Sequence, residues 1–126
     1  MLSSLEATHV QGGAAYYLVA GWDGSICRWG IGFGEGANLP ASEVHAHKAA
    51  INGLAIGHEG LLLCSCSNDG FVRVWNASTM KCTREIDVCT GAVKVVACRA
   101  NLLFYGGHNG VVYQVIILSR SMVTRL

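Results

Sequence analysis

Short apolar runs broken by glycine turns recur along this chain. Three segments share one order: an apolar run, an Asp-Gly or Asn-Gly pair, and a second run that ends in Trp or Val five residues after the glycine. The segments are YYLVAGWDGSICRW (16–29), LLLCSCSNDGFVRVW (61–75) and NLLFYGGHNGVVYQV (101–115). Asp23, Asp69 and Asn109 are therefore equivalent, 46 and 40 residues apart. Because glycine tolerates the positive φ of tight hairpin turns, each segment predicts a β-hairpin.

The second repeat predicts the fullest set of strands. The expected strands are Ile51–Ile56, Leu61–Ser67, Phe71–Trp75 and Lys81–Val88. The strands beside the turn are apolar on both faces, as expected for a sheet packed between two neighbours. A period of about 40–45 residues with four short strands per unit is typical of a propeller blade. The predicted fold class is all-β, an incomplete β-propeller of two to three four-stranded antiparallel blades.

The first blade, residues 1–45, is expected to be incomplete. Fewer than fifteen residues precede its hairpin strand, which starts near Ala15. That length is too short for both an outer and an inner strand, so the chain is expected to start partway through a blade. The second blade is assigned residues 46–88.

The third blade, residues 89–118, is also expected to be incomplete. It has three strand-like runs, at Val93–Cys98, Leu102–Gly106 and Val111–Ile117. The tail that follows, residues 119–126, is short and polar and is not expected to form a fourth strand.

Composition narrows the classes of function. Of the 126 residues, 52% are hydrophobic and 13% are charged, and no apolar run reaches the 18 or so residues needed to cross a bilayer. The net charge is +1 with scattered Lys and Arg, so no nucleic-acid surface is predicted. Residues 1–10 lack a secretory signal, which predicts an intracellular, cytoplasmic protein. We therefore expect the six cysteines, among them Cys64, Cys66 and Cys98, to be reduced.

Four residues of the second repeat carry a family resemblance. His47 lies 22 residues before Asp69, Ser65 lies four before it, and Trp75 lies six after it. In these residues and spacings the chain resembles the WD-repeat family. The resemblance implies a hydrogen-bonded relay through the four side chains, which holds the loop before the first strand of the blade. Its role is then structural, because a buried Trp N–H and a buried imidazole each need a partner.

The other two repeats depart from the family pattern. The first keeps Asp23 and Trp29 but has Val19 at the serine position and no histidine at the matching distance. The third replaces all four relay residues, with Cys89, Tyr105, Asn109 and Val115. The relay is therefore expected in the second blade alone.

Three groups of residues have a chemical interpretation as well as a structural one. The His, Ser and Asp of the relay are the residue types of a catalytic triad, but a nucleophile must be exposed, and Ser65 lies in mid-strand. His45, His47, Cys64 and Cys66 could ligate zinc, but structural zinc sites typically use longer spacers placed in turns. The glycine-rich segment 30–36 does not lead into a helix, as a phosphate-binding loop must, and is interpreted as an inserted loop. No enzyme activity, metal or cofactor is predicted.

A rim of three turns is the candidate binding surface. The turns are formed by Asp23-Gly24, Asp69-Gly70 and Asn109-Gly110, and the residues before them, Trp22, Asn68 and His108, should lie on one edge of the blades. Trp22 could anchor a partner there, because tryptophan is enriched at interface hot spots. The alternative is that Trp22 packs on a neighbouring loop.

The resemblance implies a scaffold that binds other proteins or peptides. Fewer than four blades cannot close a ring. The chain is therefore expected to be a segment of a larger propeller, or a small propeller that assembles from copies of itself. An alternative is a propeller segment attached to an enzyme or motor domain outside this chain.

Overall fold

The computed structural model describes residues 2–7, 15–31, 40–57, 62–77, 79–88, 91–99, 101–116 and 124–125. Within these ranges the regular structure consists of twelve β-strands joined by turns. The strands form three antiparallel four-stranded sheets, and in each sheet the strands lie side by side in chain order. The all-β fold expected from the repeated hairpins is therefore confirmed.

The strands of the three sheets have the following bounds. The first sheet contains β1 (Leu2–Ala7), β2 (Ala15–Gly21), β3 (Ser25–Ile31) and β4 (Pro40–His45). The second contains β5 (Ile51–Gly57), β6 (Leu62–Ser67), β7 (Phe71–Asn76) and β8 (Lys81–Asp87). The third contains β9 (Val93–Arg99), β10 (Leu102–Gly107), β11 (Val112–Ile116) and β12 (Thr124–Arg125).

The first sheet has four strands, so the expectation of an incomplete first blade was wrong. β1 pairs with β2 from Leu2 opposite Gly21 to Ala7 opposite Tyr17. The expectation required two strands before β2, whereas the sheet takes its outer strand, β4, from the residues that follow β3. One inner strand is all that the segment before β2 must supply, and six residues suffice for it.

The third sheet also has a fourth strand, contrary to the interpretation of the tail 119–126. Thr124 and Arg125 pair with Gln114 and Tyr113 of β11. The short length and polar side chains of the tail do not predict a strand. Pairing at a sheet edge is made by backbone N–H and C=O groups, which every residue of the tail carries.

The middle sheet is buried on both of its faces. On β6, Leu63 packs toward the first sheet in a core with Ile26 and Trp75. The alternate residues Cys64 and Cys66 pack toward the third sheet. This alternation follows from the two-residue period of a strand and explains why the runs beside the turn are apolar throughout. Their continuous apolar pattern therefore reflects two neighbours.

The third sheet is apolar on the face turned away from the second sheet. Along β9, Val96 packs against the core between the second and third sheets, while Val95 is 62% exposed. On β11, Val112 is 46% exposed and Val115 is buried. The two valines lie on either side of Gly106 of β10, so apolar side chains of β9 and β11 are in contact with water on this face.

The turn glycines predict a measurable difference between two sites. Gly24 and Gly110 both have positive φ, +86° and +75°. A Cβ at position 24 would collide with the carbonyl oxygen of His47, whereas a Cβ at position 110 would meet nothing within 4 Å. Gly110→Ala should cost about 1–2 kcal/mol through its φ alone. Gly24→Ala should cost a further ~1–3 kcal/mol, because the backbone must shift.

Urea unfolding followed by circular dichroism measures both changes against the unsubstituted chain. Equal losses of stability for the two variants would contradict the close packing of the first turn on the loop before β5.

Candidate functional site

A chain of hydrogen bonds links the four residues that carried the family resemblance. The indole Nε1 of Trp75 donates to Ser65 Oγ at 3.0 Å, and Ser65 Oγ lies 2.6 Å from His47 Nε2. On the other side of the ring, His47 Nδ1 lies 2.9 Å from Asp69 Oδ2. Residues 28 positions apart in the sequence, from 47 to 75, are thus joined in one relay.

The donors in the relay define its protonation. The carboxylate of Asp69 can only accept and Trp75 Nε1 can only donate, so Nε2 of a neutral imidazole accepts the Ser65 hydrogen and the Ser65 oxygen accepts from the indole. Nδ1 then carries the proton of a neutral imidazole and donates it to Asp69. Burial lowers the pKa of His47 below its ordinary 6.5, an effect that exceeds the opposing attraction of Asp69 for a charged ring. With this neutral tautomer each of the three hydrogen bonds of the relay has one donor and one acceptor.

Asp69 is the acceptor at the end of the relay. Its carboxylate accepts the backbone N–H of Phe71 at 2.9 Å and that of Lys48 at 3.1 Å. Burial would raise the pKa of Asp69, but these two bonds and His47 together hold it below the ordinary value. The ionised carboxylate therefore ties the turn of its own hairpin to the loop that precedes β5.

Arg73 is a member of this group that the sequence analysis missed. Its Nη1 donates to Asp69 Oδ2 at 3.3 Å and to the carbonyl of Ala46 at 2.8 Å. Its guanidinium also lies over the Phe71 ring, 4.9 Å from the centroid. The available signal was a single charge in the apolar run 71–75. The sequence alone did not show that this charge lies beside the relay.

The relay is closed to substrates. Ser65 and His47 have exposures of 0% and 1%. A catalytic nucleophile and its base must be reachable by the reacting molecule, so this Ser, His and Asp have the surroundings of a structural hydrogen-bond network. The hydrogen bonds of the relay can hold the loop before β5 in a fixed position.

Each of the three turns makes the same kind of hydrogen bond, which shows that the turns are structurally equivalent. In each, the side chain of the Asp or Asn accepts the backbone N–H two residues later. The pairs are Asp23 with Ser25 at 3.0 Å, Asp69 with Phe71 at 2.9 Å, and Asn109 with Val111 at 3.2 Å. The glycines that follow, Gly24, Gly70 and Gly110, all have positive φ. This is the geometry that favours Asp-Gly and Asn-Gly in hairpins.

The residues before these turns are exposed on one rim. Trp22 is 58% exposed, and Asn68 and His108 are exposed as well. The first turn is nevertheless well supported, because the carbonyl of Gly24 accepts the backbone N–H groups of Ala46 and His47 at 2.8 and 2.9 Å. The rim therefore combines an exposed aromatic ring with an anchored backbone.

Several candidate residues do not form a metal or phosphate site in the described ranges. His47 belongs to the relay, His45 is exposed, and no three His, Cys, Asp or Glu side chains of those ranges are placed to hold a metal. Cys89 and residues 32–36 of the glycine-rich segment lie outside the described residues. No helix in the described part of the chain is long and apolar enough to span a membrane.

Three stacked four-stranded antiparallel sheets, with the relay in the middle one, have the architecture of consecutive blades of a β-propeller. Residues 39–76 match the family model WD40, described as WD domain, G-beta repeat. The matched range runs from the start of β4 to the end of β7. In this structure the first strand of the matched segment lies in the first sheet and its other strands lie in the second.

Solved structures support the same fold over the whole chain. The crystal structure of the RRP9 WD40 repeats and the structure of U3-55K each superpose with a TM-score of 0.85 at 20% identity. Each match covers 99% of this chain and 38% of the other. A similar protein, zinc finger CCCH domain-containing protein 17 of Oryza sativa subsp. japonica, is 31% identical over 71 residues. These are 56% of this chain and 16% of the rice protein.

Removal of the Ser65 hydroxyl should lower stability. Ser65→Ala leaves both Trp75 Nε1 and His47 Nε2 without their partner, at an expected cost of about 1–3 kcal/mol. Trp75→Phe removes one end of the same chain of bonds. A double-mutant cycle, measured by urea unfolding, should show coupling between the two positions of at least ~0.5 kcal/mol. Additive losses would contradict the bond from Trp75 to Ser65.

Stability should decrease as the pH falls below neutrality. Because the pKa of His47 is lowered in the folded chain, the unfolded chain binds the proton more readily. The stabilisation is complete above the unfolded-state pKa near 6.5 and is lost as the pH falls toward the folded-state value. Chemical unfolding between pH 7.5 and 5 measures this slope.

Two variants separate this effect from the titration of other groups. His47→Gln should reduce the slope, and the exposed His45→Gln should retain it. The charged neighbours of His47 are Asp69, Arg73 and Glu85, of which only the carboxylates favour a charged ring. A slope that survives His47→Gln would contradict the neutral relay.

Proposed function

We propose that this chain is a protein-binding scaffold segment of a larger WD-repeat propeller, and that it binds through the rim of Trp22, Asn68 and His108. The observation that carries the proposal is the 58% exposure of Trp22 on a turn whose backbone is anchored to the next blade. A large exposed aromatic side chain is unfavourable in water and is favoured at the centre of interfaces, where partners bury it.

The support beneath the rim favours binding. The relay holds the loop before β5, and that loop holds the turn that carries Trp22. A partner then meets a surface that is already ordered, so that little conformational entropy is lost on association. Scaffold proteins depend on such preorganised surfaces, since they contribute contacts and no chemistry.

The apolar outer face of the third sheet supports a larger propeller. Val95 and Val112 are exposed there, and the matched solved structures contain more than twice as much chain as this protein. A further blade stacked on that face would bury both side chains and extend the ring. A second copy of this chain is the alternative occupant, as in a small self-assembling propeller.

A second candidate function is a propeller segment attached to a domain of another kind. The observation that favours it is the rice relative, which is named for a zinc finger CCCH domain and of which the matched segment is only 16%. In that case the rim would position the attached domain by binding a protein next to its site of action.

Photocrosslinking at the rim tests the proposed function. The endogenous gene is edited so that the protein carries the photoreactive amino acid benzoylphenylalanine in place of Trp22 or, in a second cell line, in place of Lys81. Lys81 serves as the control because it is exposed at the start of β8, where it pairs with Asn76 of β7 at the end of the second sheet away from the rim. Position 22 should form adducts with specific proteins, and position 81 should not.

The same immunoblots report the mass of the polypeptide before irradiation. A band well above 13.4 kDa is expected for a segment of a larger propeller. A band at that mass would favour self-assembly instead. If positions 22 and 81 crosslink to the same set of proteins, or if position 22 crosslinks to nucleic acid alone, the result would contradict binding of proteins by the rim.

A further inference from the structure

The loop before β5 lies between two turns of the rim and carries an exposed lysine. The carbonyl of Gly24 accepts N–H groups from this loop on one side. On the other side, the backbone N–H of Asn68 donates to Ala50 O at 3.0 Å. Lys48 lies in the middle of the loop, and its side chain is exposed. Its position therefore falls between Trp22 and Asn68 along the rim.

A second lysine continues the same line into the third sheet. Lys94 Nζ donates to Asn68 Oδ1 at 2.9 Å, and Asn52 Nδ2 donates to the same oxygen at 2.8 Å. Asn52 Nδ2 also donates to the carbonyl of Val93 at 2.7 Å. This network holds the ammonium group of Lys94 on the rim through an uncharged amide. We call Trp22, Lys48, Asn68 and Lys94 the rim strip.

The two lysines of the rim strip have no ion-pair partner among the described residues. The nearby carboxylate of Asp69 is occupied by His47, Arg73 and two backbone N–H groups. Asp23 is exposed, but it lies in the turn of Trp22, at the end of the strip away from Lys94. Charge along the strip is therefore uneven: it is negative beside the tryptophan and positive from Lys48 onward.

We propose that the rim strip binds an acidic peptide segment of a partner protein, with its carboxylates at Lys48 and Lys94 and an apolar residue on Trp22. This inference rests on the proposed function and adds the chemistry of the partner. Opposite charge on the two surfaces raises the rate of encounter and sets the orientation of the peptide. The Trp22 ring supplies apolar contact area at the other end.

An acidic peptide suits the strip better than a nucleic acid. Nucleic-acid affinity comes from many phosphate contacts made by a patch of Lys and Arg. This chain has a net charge of +1, and the strip contains only two lysines, with the carboxylate of Asp23 at the end of the strip beside Trp22. Two ammonium groups in line with one aromatic ring match a short segment with a few carboxylates and one apolar residue.

Fluorescence anisotropy with a matched pair of labelled peptides tests the inference on the full chain. One nonapeptide carries a leucine followed by four glutamates spaced with glycine and serine, and the other carries glutamines in place of the glutamates. The glutamate peptide should bind about 10-fold more tightly or better, and its affinity should fall between 50 and 300 mM NaCl. Lys48→Gln and Lys94→Gln should each weaken it about 3- to 5-fold.

Control variants separate this inference from the proposed function. Lys81→Gln, at the opposite end of the second sheet, should leave the affinity unchanged. If both peptides bind equally well and Trp22→Ala weakens both, the rim binds peptides but the acidic preference is refuted. If Trp22→Ala changes neither peptide's affinity, the binding surface itself is refuted. Displacement of the acidic peptide by single-stranded RNA at lower concentration than by unlabelled peptide would overturn the choice of partner.

Discussion

Asp69 accepts hydrogen bonds from the backbone of Phe71, the backbone of Lys48, the ring of His47 and the guanidinium of Arg73. Through these bonds one carboxylate connects the second hairpin turn with the loop before β5. That loop also donates two N–H groups to Gly24 of the first sheet. The hydrogen bonds between the turns of the first two sheets therefore centre on one ionised side chain, above the apolar core of Ile26, Leu63 and Trp75.

The junction between the second and third sheets is built differently. Its core is apolar, with Val72, Val93 and Val115 buried between the sheets. At its edge the Arg84 guanidinium donates to the carbonyl of Ile116 at 2.9 Å. Val115 occupies the place equivalent to Trp75, so no indole there needs a serine partner. Apolar burial, together with hydrogen bonds such as those from Arg84 to Ile116 and from Asn52 to Val93, holds this junction, so the third repeat can dispense with the relay residues.

The relay and the rim strip are two levels of one arrangement. Below the rim, the buried ring of His47 and the buried carboxylate of Asp69 are joined by a hydrogen bond. Directly above them, Lys48 and Trp22 are exposed on the loop and turn that the relay holds. A surface of this kind can bind a partner without first becoming ordered, so the stability of the relay and the affinity of the rim are physically connected.

The sequence by itself determined the hairpins and the positive-φ glycines, because turn chemistry and strand alternation are local properties that the residues encode directly. The four members of the relay follow from the resemblance of their residue types and spacings to the WD-repeat family. Tertiary structure alone decided the pairing of β1 with β2 and of β12 with β11, the position of Arg73 beside Asp69 and the exposure of Trp22. An edge strand pairs through its backbone, which carries no sequence signal. The surroundings of a side chain depend on what a neighbouring sheet covers, and that is known only when the sheets are stacked.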